Sequence, residues 1–199
     1  MKALKYLIIG VLVLFILFFG MGLIQPSVNY GAEISVDKPI KECWAVSQDE
    51  SLYEKWLEGF KSFELIEGEW MKPGSKYKVV VDPGDGQPEF EMTETLVSIN
   101  EFQNVEMHFD SEFMIFEQIM TFSESGNETL IKSDSKVKAK GLIMKSMFAI
   151  METFGGSFTK QEQKNFESLK RLIVKNSKDY YPDPIENTLD TNQDIEENQ

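Results

Sequence analysis

Cysteine and histidine are almost missing from this chain: Cys43 and His108 are the only ones in 199 residues. A lone cysteine excludes an intramolecular disulfide and any cysteine cluster for a metal. With a single histidine as well, most nucleophile-and-base arrangements and most zinc sites cannot be assembled within one chain. No metal and no cofactor is expected. Positive charge is also scarce, with 20 Lys and Arg against 33 Asp and Glu and a formal net charge of −13. Most of the surface would therefore repel a phosphate backbone, and nucleic acid is not an expected partner. No internal repeat is visible.

What is present begins with an uncharged apolar run from Tyr6 to Ile24, preceded by Lys2 and Lys5 and closed by Gln25-Pro26. That is membrane-spanning length. A cleavable signal peptide has a shorter apolar region and a small-x-small cleavage site, of which Gly20-Met21-Gly22 is a poor version, so a retained anchor fits better. A buried core helix is the remaining alternative. The lysines precede the run, which places the short N-terminus in the cytoplasm and the rest of the chain outside it. The expected division is an anchor over residues 1–25, one domain over 26–177 and an acidic tail over 178–199, whose low apolar content predicts disorder.

Short alternating segments follow. Val28 to Val36 reads as a strand, ended by Asp37-Lys38-Pro39, with Asp37 placed to cap the next helix. Two short aromatic helices follow, one carrying Cys43 and Trp44 and the next Tyr53 and Trp56, stopped by Gly59. Six more strands are expected at Phe60–Gly68, Ser75–Val81, Glu89–Ile99, Phe102–Phe109, Glu112–Phe122 and Glu128–Lys140. Alternation assigns inward faces: Tyr77, Val79 and Val81; Phe90, Met92, Glu94 and Leu96; Val105, Met107 and Phe109; Met114, Phe116, Gln118, Met120 and Phe122; Ile131, Ser133, Ser135 and Val137. Alternating serines also suit an edge strand. Short connections imply antiparallel neighbours.

From Leu142 to Lys175 the period changes to that of a helix. Met144, Met147, Met151, Phe154, Phe158, Phe166, Leu169 and Ile173 fall on one stripe, with a bend expected at Gly155-Gly156. A sheet with one apolar face and one long terminal helix to cover it is an α+β architecture.

This order of elements resembles the helix-grip fold of the START-like (SRPBCC) superfamily, which includes polyketide cyclase/dehydrase and lipid-transport proteins. The resemblance is carried by Val36-Asp37-Lys38-Pro39-Ile40-Lys41-Glu42-Cys43-Trp44 after the first strand, Trp56 at the end of the second short helix, and Glu67-Gly68 with Pro73-Gly74-Ser75. Phe166-Glu167-Ser168-Leu169-Lys170 near the helix end completes it. It spans about Val28 to Lys175. The resemblance implies a curved antiparallel sheet gripping the long helix, with an apolar cavity between them. The residues that would line that cavity are Tyr77, Val79, Phe90, Met92, Glu94, Met107, Phe109, Phe116, Gln118, Met120, Ser133, Met144, Met147 and Met151. Its implied partner is a lipid or other hydrophobic small molecule. The membrane anchor departs from the commoner soluble members.

Several of these residues have plainer readings. The methionines suit an adaptable pocket or simple core filling. Glu94 and Gln118 could meet the polar end of a ligand, or lie where a strand ends, bulges or faces water. His108 shares a face with Glu106 and Asp110 and belongs outside. Asp82 and Asp85 sit in a Pro/Gly turn with no calcium-loop spacing. Trp44, Trp56 and Trp70 suit sealing of the small helices. A polyketide cyclase or dehydratase with Glu94 as proton carrier is the enzymatic alternative. No matched acid and base pair is present, so binding is expected over turnover. A protein-interaction domain without ligand is the third.

Overall fold

The computed structural model describes residues 2–84 and 86–182. Asp85 of the proposed turn and most of the proposed acidic tail lie outside the described residues. The apolar run forms helix α1 (Lys2–Ile24), long and apolar enough to cross a membrane. Then come β1 (Val28–Val36), α2 (Ile40–Gln48), a 3-10 turn (Glu50–Leu52) and α3 (Tyr53–Trp56). Six strands follow: β2 (Phe60–Glu67), β3 (Lys76–Val81), β4 (Phe90–Asn100), β5 (Asn104–Asp110), β6 (Met114–Ser125) and β7 (Glu128–Ala139). Helix α4 (Leu142–Ile150), a π-helical turn (Met151–Gly155) and α5 (Ser157–Lys175) close the order.

All seven strands form one antiparallel sheet in the order β1-β7-β6-β5-β4-β3-β2. Consecutive strands pair through short turns, while β1 returns to pair with β7, Val28 opposite Val137 and Val36 opposite Thr129. β7 is therefore an interior strand, which corrects the edge reading of its serines. Every second residue of β7, from Thr129 to Ala139, is buried, and the lysines between them are exposed. Register breaks in β2 and between Leu96 and Ser98 of β4 bend the strands and add curvature.

α5 lies across the concave face with Phe166, Leu169 and Ile173 wholly buried. They join Ile34, Val36, Trp44, Val46, Phe122 and Ile131 in the core, where Trp44 packs edge-on to Phe122 at 5.0 Å. Helix α2 is not capped by Asp37. Pro39 takes the N-cap position without a side-chain cap, and the Ile40 amide donates instead to Glu124 of β6 at 3.1 Å.

The long terminal helix is broken rather than bent. Gly156 adopts a left-handed conformation (φ 59°) between the π turn and α5. Glu152 turns back so that its carboxylate accepts from the Phe158 amide at 2.9 Å and from the Thr159 hydroxyl, capping α5. The apolar stripe is thus divided: α5 packs on the sheet, α4 packs against α1, and Phe154 between them is exposed.

Candidate ligand cavity

Strand periodicity turns one apolar row from each of β3 to β7 toward α5, but α5 does not press onto all of them. Toward its N-terminal half a cavity of about 320 Å³ remains. Its floor is Val79 and Val81 of β3, Phe90, Met92 and Glu94 of β4, Val105, Met107 and Phe109 of β5, Met114, Phe116, Gln118 and Met120 of β6, and Val137 of β7. α5 contributes Phe158, Gln161, Glu162 and Asn165, α3 contributes Tyr53 and Trp56, and β1 contributes Tyr30. One wall is a run of rings. Tyr30 stacks near Phe116 and Phe158 at 6.2 and 5.4 Å, and Phe116 stacks on Phe109 at 5.0 Å.

The rim beside α3 is tied to α5 by polar contacts. The Glu58 amide donates to the Asn165 side-chain oxygen at 3.1 Å, and the Lys164 ammonium meets the Glu58 carboxylate at 2.6 Å.

Two polar stations interrupt the apolar floor. At the first, Gln118 donates its amide to Glu162 at 2.7 Å and to the Ser135 hydroxyl at 3.2 Å. Burial raises the Glu162 carboxyl above its ordinary pKa, against the opposing effect of hydrogen bonds from Ser133 and Gln118. Burial also raises the Tyr30 phenol, with Glu162 and then Glu152 adding to the shift.

The second station is Glu94, at mid-strand opposite Tyr77 on one side and Phe109 on the other. It is 9% exposed, and burial pushes its carboxyl up to about 8, so that it is largely neutral at pH 7. Among the described residues no hydrogen-bond partner meets it. The indole N–H of Trp56, another lining residue, is buried and likewise without a partner among the described residues. Tyr53 lines the same cavity. Its ring centre is 6.2 Å from that of Trp56, and its phenol is raised by burial and next by the Glu94 charge. A neutral carboxyl and an unmet N–H in an apolar chamber are each able to bind an oxygen-bearing ligand end.

Val79, Phe90, Met92, Glu94, Met107, Phe109, Phe116, Gln118 and Met120 are thus brought together around one cavity. Five other candidates are not among its lining residues. Tyr77 is buried beneath the β2–β3 turn, stacked on Phe63 at 4.4 Å, with its hydroxyl accepting from the Met71 amide at 2.7 Å. The Ser133 hydroxyl accepts from the Ala32 amide of β1 at 3.1 Å and so stands behind the first station. Met144, Met147 and Met151 lie on α4 and the π turn, which the break at Gly156 directs away from the sheet. His108 is on the outer face, 3.9 Å from Glu117.

Tyr30, Tyr53, Phe158 and Glu162 were missed as lining residues, and Trp56 was assigned only to sealing. Glu162 had a signal: it is four residues after Phe158 and four before Phe166, the vacant position of the helical stripe.

No family model matches the sequence, and no curated protein matches it at a significant level. Solved structures do match. A conserved protein from Geobacillus kaustophilus aligns with a TM-score of 0.60 and 18% identity over 74% of this chain and 96% of its own. Ara h 8.0201 aligns with a TM-score of 0.54 and 16% identity over 75% and 99%. A truncated norcoclaurine synthase from Thalictrum flavum aligns with a TM-score of 0.52 and 12% identity over 75% and 95%. At these identities the likeness is one of fold.

Proposed function

From a chain that has the START-like helix-grip fold, we propose a membrane-anchored domain that binds a lipid or other hydrophobic small molecule between the sheet and α5. The observation that carries this reading is the cavity itself: about 320 Å³, walled mainly by aromatic rings, valines and methionines, with Glu94 and Gln118 the polar groups of its floor. That volume is at the lower end of the range of small-molecule sites. Apolar burial would supply most of the affinity, at roughly 25 cal/mol per Å². Glu94 and the Trp56 N–H would receive a hydroxyl or carbonyl end.

The test is native mass spectrometry of the protein from Pro26 onward, purified without detergent. One apolar ligand per chain is expected, removable by organic extraction and absent from the cavity-filled Met92→Trp variant, whose unfolding midpoint should change little. A ligand-free mass after purification from cells, with no uptake of added fatty acid or sterol, would sink the proposal.

An enzymatic second reading is favoured by one observation, the Glu94 carboxyl poised near 8 inside the cavity. One fold relative is named as a synthase. If the bound compound is converted by the wild type and left unchanged by Glu94→Gln, proton transfer at Glu94 is the better account. Recovery of the same compound from both removes it.

A further inference from the structure

Helix α4 has one face with no charge on it and nothing over it. Ile143 is 60% exposed and Phe154 of the adjoining π turn 80%, with Met147 and Met151 between them and Leu142 before them also exposed. Two polar groups of the segment are turned elsewhere: Ser146 is wholly buried with its hydroxyl donating to the Leu142 carbonyl, and Glu152 caps α5. An apolar strip of this extent left in water is unusual for a globular surface.

Its neighbour identifies what covers it. α4 packs on the last turns of α1, where Gly22 allows such close approach that a Cβ there would overlap the Ser146 backbone. Farther along, Thr153 donates to Gln25 at 3.2 Å. The two helices run in the same sense, so the strip continues from Leu23 and Ile24, both exposed, at the end of the candidate membrane span. Charge agrees. Between Ile131 and Lys160 there are six lysines and two acidic residues, in a chain of net charge −13. A basic neighbourhood of this kind can face anionic headgroups.

Resting on the anchor reading above, we propose that α4 and the π turn form a second membrane contact, lying in the leaflet that receives the C-terminal end of α1. The lipid bilayer is the occupant of the strip. Phe148 of α4 packs edge-on against Phe158 of the cavity wall, 5.1 Å between ring centres, so this contact holds the cavity beside the same leaflet.

The test uses the full chain in phosphatidylcholine/phosphatidylglycerol vesicles, with an environment-sensitive thiol dye at one introduced cysteine: Leu12→Cys, Ile143→Cys, Phe154→Cys or Asn127→Cys. Native Cys43 is wholly buried, and the wild type reports its background. Asn127 lies in the turn at the far end of β7 from α4. Nitroxide placed high on the lipid acyl chains is expected to reduce emission about twofold or more at Ile143 and Phe154 and to leave Asn127 unchanged, while nitroxide deep in the chains quenches Leu12. Quenching at Leu12 without quenching at Ile143 and Phe154 overturns the second contact and leaves the anchor standing. If those two sites are blue-shifted yet insensitive to nitroxide, a protein or a second copy covers the strip, and the proposal is also overturned. No quenching at Leu12 overturns the anchor reading and the proposal with it.

Discussion

The Gln118 amide of β6 donates to the Glu162 carboxylate of α5 across the cavity at 2.7 Å, joining sheet and helix where apolar packing between them stops. Gln118→Leu removes that donor and leaves the buried Glu162 carboxyl with one hydrogen bond fewer. A loss of about 1–3 kcal/mol is expected by urea unfolding. The bond to the charged form is the stronger, so the loss should be greater at alkaline than at acidic pH. Equal losses at both would count against the bond as a carboxylate contact.

Glu94 makes stability depend on pH in a definite direction. Its carboxyl releases a proton near its ordinary 4.5 in the unfolded chain and near 8 in the folded one. The folded state therefore holds more protons between those values, and stability falls as pH rises through that window, then levels off. Glu94→Gln should abolish this slope. Its advantage over the wild type should be small near pH 4 and grow to on the order of 4 kcal/mol above about pH 8. Parallel stability curves for the two proteins between those limits would refute the assignment.

Gly156 and Gly155 should respond differently to alanine. Gly156 has a left-handed backbone, and an added Cβ would meet nothing closer than Lys160 at 3.8 Å, so its cost is conformational, about 1 kcal/mol. Gly155 has no positive φ, and an added Cβ would meet only the Ser157 hydroxyl, at 3.1 Å. Thermal unfolding should rank Gly156→Ala below Gly155→Ala, and the reverse order would show that the break is not held by the left-handed residue.

The anchor is tested by fractionation. Alkaline carbonate should leave the full chain in the membrane pellet, and protease added to intact spheroplasts should digest the domain, given Lys2 and Lys5 on the cytoplasmic side. Protection of the domain would reverse the orientation and spare the anchor. Deleting Met1–Gln25 should give a folded protein, because β1 begins at Val28, but one that self-associates through the uncovered α4.

Much of the fold was legible because its signals are local. Side-chain direction in a strand alternates whatever the strand is paired with, so the inward placement of Phe90, Met92, Glu94, Met107, Phe116, Gln118 and Ser135 was readable residue by residue. The same holds for a membrane-length helix before the domain, whose requirement is an uncharged run of sufficient length. The closure of β1 onto β7, which no local pattern contains, came only from the tertiary structure.

The cavity's extent was decided only in three dimensions. It ends where sheet curvature and helix placement let atoms meet, and those depend on contacts between distant parts of the chain. Tyr77 points inward as its strand requires, yet the Met71 amide and the Phe63 ring hold it beneath a turn. Met144, Met147 and Met151 match the periodicity of Phe158 and Phe166, yet one left-handed glycine and a π turn between them send the two stripes to different neighbours. Glu162 looked like a gap in an apolar stripe until Gln118, 44 positions earlier, came within hydrogen-bonding reach. Periodicity determined which way each side chain faces, while the tertiary structure decided what stands opposite it.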